Sequence, residues 1–252
     1  MATNTVQAVI FDTDGVITDT AAVHAAAWKQ LFDSYLEQRA RAQGGEFVPF
    51  DPGEDYRRYV DGKPRYDGVA SFLESRGISL PRGAPDDPPS DNTVCGLGNQ
   101  KNLFFVDHLR TQGVEAFAST VEFIHELQAR GIHTAVISAS KNCKEVLEAA
   151  GVLDLFEVRV DGVVSAELGL AGKPDPAVFL EAARRLRVSP ADAAVVEDAI
   201  AGVEAGRRGE FGLVVGVDRT GHPEELAARG ADVVVSDLSE LSVDDSGIHT
   251  RA

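Results

Sequence analysis

Two aspartates separated by one residue stand at the end of an apolar run near the start of the chain. Residues 9–11 (Val-Ile-Phe) lead into Asp12 and Asp14, and Gly15 follows. This pattern is typical of a buried strand that delivers acidic groups to the edge of a sheet. Carboxylates so close repel each other, so a cation must neutralise them or one must hold a proton. The pattern therefore indicates a metal site, acid/base chemistry or, more simply, a turn built on Asp and Gly.

Three later segments also place polar groups directly after apolar runs. They contain Ser138, Lys173 and the neighbouring pair Glu197 and Asp198. The carboxyl ends of parallel strands meet at one edge of a sheet, and ligands bind there in open α/β folds. A hydroxyl, an ammonium and several carboxylates at one edge are the groups that phosphate chemistry needs. We expect these groups to converge.

Each of these segments also has a purely structural interpretation. Ser138 or Ser140 could cap the helix that follows, and Asp198 could cap a helix that begins at the next residue. Lys173 alone would be read as one of the many solvated surface lysines. We favour the functional interpretation because the segments occur together in one chain.

The composition excludes several classes of partner. Asp and Glu number 40 against 24 Lys and Arg, so the net charge is -16, and such a field repels nucleic acid and anionic membranes. An anionic substrate must therefore be attracted by a local basic site. Cys95 and Cys143 have no metal-type spacing. With no secretory leader or bilayer-spanning run, we expect two reduced thiols in a cytoplasmic protein.

The second half of the chain alternates between strand and helix patterns. Apolar runs predict strands over residues 6–11, 134–137, 156–160, 193–196, 213–217 and 232–235. Helical patterns between them cover 120–130, 141–150, 175–187, 200–207 and 223–229. This alternation predicts an α/β fold with a doubly wound, mostly parallel sheet. The polar tail from residue 237 is expected to fray.

About one hundred residues interrupt this alternation after the first strand. Their helical patterns cover 21–41, 54–59, 65–76 and 92–110, which predicts an inserted all-helical domain. We place the α/β core at residues 1–18 and 114–252 and the helical domain at 19–113. Residues 77–92 are dense in Pro, Gly and Asp, so we expect an exposed, mobile loop, and a tolerated surface insertion is favoured over a functional lid.

The order of these features resembles that of the haloacid dehalogenase superfamily, and within it the β-phosphoglucomutase-like subfamily. The acidic motif, Ser138, Lys173 and Asp198 match the superfamily core, and the string SASKN at 138–142 is more specific than its minimal Ser or Thr. Most of the chain is covered by the resemblance. It implies a Rossmann-like core with a helical cap and a Mg²⁺-dependent phosphotransferase activity.

The resemblance assigns roles to the core residues. Asp12 would be the nucleophile that forms an aspartyl-phosphate, and Asp14 the general acid/base whose main-chain carbonyl also binds the metal. Ser138 and Lys173 would hold the transferring phosphoryl group. Magnesium also suits the hard oxygen ligands, which are expected to come from Asp12, Asp14, Glu197 and Asp198.

Three features of the helical insertion match the subfamily's substrate contacts. The first is a helical face of Thr20, His24 and Trp28 at four-residue spacing, in which the resemblance makes the His couple cap closure to the acid/base. Taken alone, a His on such a face is usually structural.

The other two features are a loop and a cap lysine. The loop 60–65 contains Gly62 and ends in Arg65, where an arginine grips the distal phosphate in relatives. The chain departs from the family at Asp61, where relatives have a lysine, and Lys63 is the nearest substitute. Lys101 matches a cap lysine that reaches the sugar.

In the SASKN string, Ala139 and Asn142 match phosphate and sugar contacts of the subfamily. The implied reaction is the interconversion of β-glucose 1-phosphate and glucose 6-phosphate through glucose 1,6-bisphosphate, in a monomer with no nucleic-acid or membrane partner. Two alternatives remain open. A sugar-phosphate phosphatase would use the same core with water as acceptor, and a silent sugar-phosphate-binding protein would fail to phosphorylate Asp12.

Overall fold

The structure, a computed structural model, describes residues 6–244 and 246–251. The chain divides into two compact units. One comprises the chain up to Asp19 together with the chain from Val114 onward, and the other comprises Thr20–Gly113. Within the described part of the chain, no helix has the length and apolar content needed to cross a bilayer.

A six-stranded parallel sheet forms the centre of the first unit. Its strands are β1 (Ala8–Asp12), β2 (His133–Ile137), β3 (Val158–Val160), β4 (Ala193–Glu197), β5 (Leu213–Val217) and β6 (Val233–Val235). Their order across the sheet is β3-β2-β1-β4-β5-β6. The predicted doubly wound α/β sheet is confirmed, and β1 and β4 lie at the point where the strand order reverses.

The helices flank this sheet or build the second unit. In chain order they are α1 (Ala21–Gln43), α2 (Arg65–Ser75), α3 (Val94–Gln112), α4 (Ala118–Ala129), α5 (Cys143–Ala149), α6 (Gly162–Leu168), α7 (Ala177–Leu186), α8 (Ile200–Arg208) and α9 (Pro223–Ala228). A π-helical turn covers Tyr56–Val60, and 3-10 turns cover Leu153–Leu155, Pro190–Asp192 and Leu238–Glu240. Helix α6 was not predicted, since it is short and shows no apolar period.

Both faces of the sheet are buried, as the nearly continuous apolar strands require. Alternate residues of β1 enter two different cores: Val9 and Phe11 pack with Phe123 of α4, whereas Ile10 packs with Phe179 of α7. Every residue of β1 and β4 is buried. This double cover holds the carboxyl ends of the two strands in fixed positions.

The prediction of a frayed tail is wrong. Strands β7 (Leu241–Asp244) and β8 (Gly247–Thr250) form an antiparallel hairpin. Leu241 and Val243 alternate with polar residues and are buried against the core that contains β1's Val9. Two apolar side chains at strand spacing therefore anchor a segment whose overall composition is polar.

The second unit is built around aromatic side chains, and its helices confirm that the insertion is all-helical. Phe32 of α1 lies with its ring centroid 4.0 Å from that of Phe72 in α2, and Phe50 lies 5.1 Å from Phe72. Trp28 stacks on Phe32 at 5.3 Å. Rings of this size bury much apolar area per residue, so a small helical unit can form its own core.

The segment between α2 and α3 contains no helix or strand, as predicted, but it is anchored at several points. The Tyr66 hydroxyl and the Asn99 amide both donate hydrogen bonds to the carbonyl of Pro85, at 3.2 and 3.0 Å. The amide of Val94 donates to the carbonyl of Pro81 at 2.9 Å, and Ile78 is buried. Hydrogen bonds from both flanking helices therefore define the path of this segment.

Candidate active site

Strand pairing brings the predicted polar residues to one edge of the sheet. Asp12 is the last residue of β1 and lies opposite Ile137 of β2, so Ser138 comes directly after the neighbouring strand. On the other side, Phe11 lies opposite Val196, and Glu197 is the last residue of β4. The reversal of strand order opens a crevice at this edge, and open α/β sheets bind ligands there.

Lys173 links the ends of β1 and β4. Its ammonium donates a hydrogen bond to Oδ1 of Asp12 at 2.6 Å and another to Oε1 of Glu197. The lysine side chain is only 3% exposed, which rules out a solvated surface lysine. Burial by itself would lower the pKa of Lys173, but the charges and hydrogen bonds of Asp12 and Glu197 outweigh burial and raise it. The ammonium therefore stays charged.

Burial dominates the titration of the central carboxylate. It raises the pKa of Asp12 well above the ordinary range, the charge of Lys173 opposes this, and Glu197 and Asp14 add to the rise. One carboxylate oxygen is held by Lys173, and the other accepts a hydrogen bond from the amide of Asp14 at 3.1 Å. The nucleophile candidate is thus fixed in orientation but has excess negative charge around it.

Three carboxylates converge at this edge of the sheet. Oxygen atoms of Asp12, Glu197 and Asp198 lie within 4.8 Å of one another, and Asp12 and Glu197 are buried. Lys173 pairs with two of them, and all the donors are hard oxygens. These residues fit a divalent cation of the Mg²⁺ type.

Asp198 does not cap the following helix. Helix α8 begins at Ile200 and its N-cap is Ala199, whose amide donates to Oε2 of Glu197 at 2.8 Å. Glu197 thus uses one oxygen for Lys173 and the other for the main chain, which fixes its carboxylate plane. The structural interpretation of Asp198 as a cap is wrong.

The segment after β2 is a run of tight turns. The amide of Ser138 donates to the carbonyl of Val160 at 3.2 Å, and its hydroxyl accepts from the amide of Ser140 at 3.0 Å. The hydroxyl of Ser140 in turn accepts from the amide of Asn142 at 3.1 Å. Neither serine is a helix N-cap, because α5 begins at Cys143 and its N-cap is Asn142.

The helix predicted over residues 175–187 begins two residues later than expected, because α7 starts at Ala177 with Pro176 as its N-cap. Lys173 therefore lies in the loop between α6 and α7.

Sequence reasoning missed two glycines on which the acidic cluster depends. A Cβ on Gly15 would lie 1.8 Å from Oδ2 of Asp198, and Gly15 has a φ of +81°. A Cβ on Gly202 would lie 1.8 Å from Oε1 of Glu197. A glycine inside helix α8 costs about 1 kcal/mol relative to alanine, so Gly202 was itself a signal of close packing.

Gly202→Ala is expected to inactivate the protein with a smaller effect on stability. The new methyl group would displace the Glu197 carboxylate from Lys173, and overpacking of this kind costs about 1 to 3 kcal/mol. Phosphoryl transfer assays and urea unfolding of the same preparation measure the two effects. Gly45→Ala is the control, because a Cβ there meets nothing within 4 Å. Full activity of Gly202→Ala would contradict the proposed role of Glu197.

In the helical unit, three of the predicted residues form one cluster. The Lys101 ammonium lies 2.6 Å from Nδ1 of His24 and over the rings of Trp28 and Phe105, at 5.0 and 4.7 Å from their centroids. His24 stacks on Phe105 at 4.1 Å. Thr20 is fully buried, and its carbonyl accepts from the amide of His24 at 2.8 Å.

The predicted specificity loop has its own contacts. Arg65 donates through Nη2 to Oδ1 of Asn102 at 2.7 Å, and burial lowers its pKa from a value so high that it remains charged. Gly62 adopts a φ of +65°. Lys63, the nearest substitute for the family lysine, donates to the hydroxyl of Ser71 at 2.9 Å. Within this unit, then, Arg65 contacts Asn102, and His24, Trp28 and Lys101 form the separate cluster described above.

An α/β fold with a buried acidic site at the strand reversal is typical of enzymes that transfer phosphoryl groups. A family model described as haloacid dehalogenase-like hydrolase matches residues 6–209. β-Phosphoglucomutase from Mycobacterium tuberculosis (strain CDC 1551 / Oshkosh) is 51% identical over 239 residues, which cover 94% of this chain and 91% of that protein. The chain therefore belongs to the haloacid dehalogenase superfamily and, within it, to the β-phosphoglucomutase-like subfamily.

Two further comparisons agree with this membership. β-Phosphoglucomutase from Bacillus subtilis (strain 168) is 32% identical over 239 residues, 94% of this chain and 92% of that protein. The crystal structure of β-phosphoglucomutase from Clostridium difficile superposes with a TM-score of 0.73 at 27% identity, covering 94% and 93% of the two chains.

Proposed function

We propose that this protein is a β-phosphoglucomutase that interconverts β-glucose 1-phosphate and glucose 6-phosphate. The observation that carries the proposal is the buried Asp12 carboxylate, held by Lys173 and accompanied by Glu197 and Asp198 at the strand reversal. Phospho-Asp12 would donate to the sugar phosphate, and the resulting glucose 1,6-bisphosphate would return its other phosphate to Asp12. The relatives at 51% and 32% identity support the same reaction.

Asp12 acts as the nucleophile in this proposal. Its Oδ1 and Oδ2 are oriented by Lys173 and by the amide of Asp14, so one carboxylate oxygen attacks phosphorus from a fixed position. The charge of Lys173 opposes the rise that burial causes in the pKa of Asp12 and so favours the ionised carboxylate. It also offsets the charge of the arriving phosphoryl group.

Asp14 acts as the general acid and base. It gives a proton to the sugar oxygen that leaves phosphorus when the phosphoryl group moves to Asp12. In the reverse direction it takes a proton from the sugar hydroxyl that attacks phospho-Asp12. Its position two residues after the nucleophile places Asp14 in the loop that directly follows β1.

A magnesium ion would be held by Asp12, Glu197, Asp198 and the main-chain carbonyl of Asp14. When bound, such an ion neutralises carboxylates and phosphoryl oxygens and so assists phosphoryl transfer. Such a cation would offset the mutual repulsion of the three carboxylates that converge there.

The turns after β2 would hold the phosphate that is being transferred. The hydroxyl of Ser138 accepts from Ser140, so its own hydrogen can be donated to a phosphate oxygen. Ala139 and Asn142 belong to the same run of turns and would contribute main-chain and side-chain contacts. This segment follows β2, whereas Lys173 lies in the loop between α6 and α7, so the two would contact the phosphoryl group from different loops.

The helical unit would supply the contacts to the second phosphate that a mutase needs. Arg65, preceded by Gly62 in its loop and buttressed by Asn102, would bind the distal phosphate with its guanidinium fork. The cluster of His24, Trp28 and Lys101 would contact the sugar, with Thr20 at the start of the same helix. Excluding water matters, since otherwise phospho-Asp12 is hydrolysed.

We further propose a cytoplasmic monomer. The two cysteines, Cys95 and Cys143, are buried free thiols, and burial raises the pKa of Cys143 to about 12, so that thiol is unreactive.

Phosphorus NMR tests the proposed function directly. The protein is incubated with Mg²⁺, β-glucose 1-phosphate and a trace of glucose 1,6-bisphosphate, beside Asp12→Ala. Glucose 6-phosphate formed without matching inorganic phosphate, and only when Asp12 is present, is the expected result. Inorganic phosphate as the main product would show that the protein is a sugar-phosphate phosphatase and not a mutase. No phosphorylation of Asp12 by any donor would indicate a silent binding protein.

Arg65→Lys is expected to raise the KM for the sugar phosphate by about tenfold or more, because a lysine cannot make the bidentate contact. The rate of Asp12 phosphorylation by acetyl phosphate, which has no distal phosphate, should stay the same. Steady-state kinetics with both donors measure this contrast. Arg82→Lys is the control, since Arg82 is exposed and makes one long ion pair with Asp67. Equal losses with both donors would contradict the role of Arg65.

A further inference from the structure

Arg219 binds the acidic motif from outside the segment that the family model matches. It follows β5, beyond residue 209. Its Nε donates a hydrogen bond to the carbonyl of Gly15 at 2.8 Å, and its Nη1 donates to the carbonyl of Ser236 at 3.1 Å. The guanidinium carbon also lies 3.9 Å from the centroid of the Phe117 ring. One side chain therefore contacts three separate loops at the carboxyl edge of the sheet.

The Gly15 carbonyl belongs to the loop that carries Asp14. On the upstream side, the amide of Asp14 donates to Oδ2 of Asp12, at 3.1 Å. On the downstream side, the amide of Gly15 donates to the carbonyl of Thr18 at 2.9 Å, and its carbonyl is held by Arg219. The main chain is therefore fixed on both sides of Asp14, and Arg219 supplies the side-chain contact on the downstream side.

Phe117, whose ring packs against the Arg219 guanidinium, is itself hydrogen-bonded to the same loop. The amide of Phe117 donates to the carbonyl of Ile17 at 2.9 Å, so the ring that supports the guanidinium follows the loop's position. Asp237 provides a nearby counter-charge. Its burial would raise its pKa, but hydrogen bonds from Ser239 and Ser119 and the charge of Arg219 leave the pKa lowered. Arg219 is therefore held in place as a charged, planar group.

We propose that Arg219 is a positioning residue for the proton transfer by Asp14. The hydrogen bond from its Nε fixes the Gly15 peptide, and through it the loop that places the Asp14 carboxyl group relative to the leaving oxygen. The inference rests on the proposed role of Asp14 as general acid, and it adds a requirement for Arg219 that the acidic motif does not contain.

Leaving groups of different basicity separate this role from a merely structural one. In each transfer, the bond between phosphorus and Asp12 forms as the bond between phosphorus and the leaving oxygen breaks. Acetate leaves from acetyl phosphate as a stable anion and needs no proton, whereas a sugar alkoxide must receive one, here from Asp14. A displaced Asp14 therefore slows transfer from sugar phosphates but leaves transfer from acetyl phosphate unchanged.

The experiment compares wild type, Arg219→Gln and Arg219→Lys with Mg²⁺ and four donors of increasing leaving-group basicity. The donors are acetyl phosphate, p-nitrophenyl phosphate, glycerol 2-phosphate and glucose 1,6-bisphosphate. For each donor kcat/KM is measured, because it covers the steps up to leaving-group release. A general acid contributes about 10² to 10⁴-fold, so we expect Arg219→Gln to lose at least about tenfold with the two alkyl donors and less than about threefold with acetyl phosphate. Arg219→Lys, which keeps the charge and one donor, should recover part of the loss.

Arg251→Gln is the matched control. Arg251 also donates through Nε to a main-chain carbonyl, that of Leu241 at 2.7 Å, but in the terminal hairpin. It should give the wild-type dependence on leaving group. Since the donors are compared within one preparation, a partly unfolded variant lowers all four values equally and does not imitate the expected pattern.

Equal losses across the donors, or no loss in Arg219→Gln, would overturn the proposal. Failure of the proposed function gives a different pattern. Wild type would then release inorganic phosphate from β-glucose 1-phosphate without converting it to glucose 6-phosphate, while the two alkyl donors would still be hydrolysed and would still report the leaving-group dependence of the variants.

Discussion

Asp12→Asn is expected to abolish turnover of sugar phosphates, with a loss on the order of 10⁴-fold or more. An amide cannot form the aspartyl-phosphate, and neighbouring Asp14, Glu197 and Asp198 cannot replace it at the end of β1. Phosphorus NMR with glucose 1,6-bisphosphate as primer measures residual glucose 6-phosphate formation. Mass spectrometry after acetyl phosphate treatment measures the phosphoryl group on the protein.

The same substitution should leave the fold intact. Asparagine has nearly the shape of aspartate and removes the cost of burying a carboxylate whose pKa burial raises. Lys173 retains Glu197 as its partner. The free energy of unfolding is therefore expected to change by no more than about 1 kcal/mol.

Asp19→Asn is the control for the nucleophile. Asp19 is exposed and lies at the end of the same motif segment. It should keep full activity and incorporate one phosphoryl group as the wild type does. Undiminished activity in Asp12→Asn would refute phosphoryl transfer through Asp12.

Lys173→Met is the second substitution with a large expected effect. It removes the ammonium that pairs with two buried carboxylates, Asp12 and Glu197, and breaking a buried ion pair in this way costs about 3 to 5 kcal/mol. Activity should fall together with stability. Urea unfolding in EDTA measures the stability, so that no added cation compensates for the missing ammonium.

The loss in Lys173→Met should depend on pH. In the wild type the pKa of Lys173 is raised above 10.5, so its contribution to stability is fully present at neutral pH and is lost only above that value. Without the lysine, the pKa of Asp12, which burial already raises, rises further, so the folded Asp12 carboxyl keeps a proton that the unfolded chain releases above about pH 4. Stability of the variant therefore falls as pH rises, and the destabilisation should be larger at pH 8 than at pH 5.

Lys144→Met is the control for this substitution. Lys144 is exposed and pairs with Glu148 at 3.4 Å, four residues along α5. Its removal should change the free energy of unfolding by less than about 1 kcal/mol at either pH. A Lys173→Met protein as stable as the wild type at pH 8 would show that the buried carboxylates need no ammonium.

Local patterns predicted the architecture well because each major strand of the core is short, apolar and bounded by polar residues. The run before Asp12 and the one before Ser138 both became central strands, and β5 was predicted at its observed bounds, Leu213–Val217. The terminal hairpin and helix α6 were missed, since Leu241 and Val243 alone are too weak a pattern in a polar tail. The capping roles considered for Ser138 and Asp198 failed because helix starts shift by one or two residues with the tertiary context.

Fewer of the active-site contacts than of the strands and helices could be predicted from the sequence. Strand ends indicated that Asp12 and Glu197 would be neighbours, but no local pattern places a lysine from a loop between them. The hydrogen bond from Arg219 to the Gly15 carbonyl joins residues 204 positions apart, and the space for the Glu197 carboxylate depends on Gly202 in the following helix. Contacts of this kind follow from three-dimensional packing. Of the two, only the contact at Gly202 had a signal in the sequence, which is a glycine inside a predicted helix.

The order of the strands also determines when the site can exist. Lys173 follows Asp12 by 161 residues, yet the two side chains are bonded, and β4 pairs with β1 across a similar separation. On the ribosome, a nascent chain that ends before β4 has the acidic motif but neither Glu197 nor the central strand pairing. Contacts so distant in sequence form late. The protein therefore becomes active only after synthesis has passed β4. In an active molecule, β1 has already paired with β4.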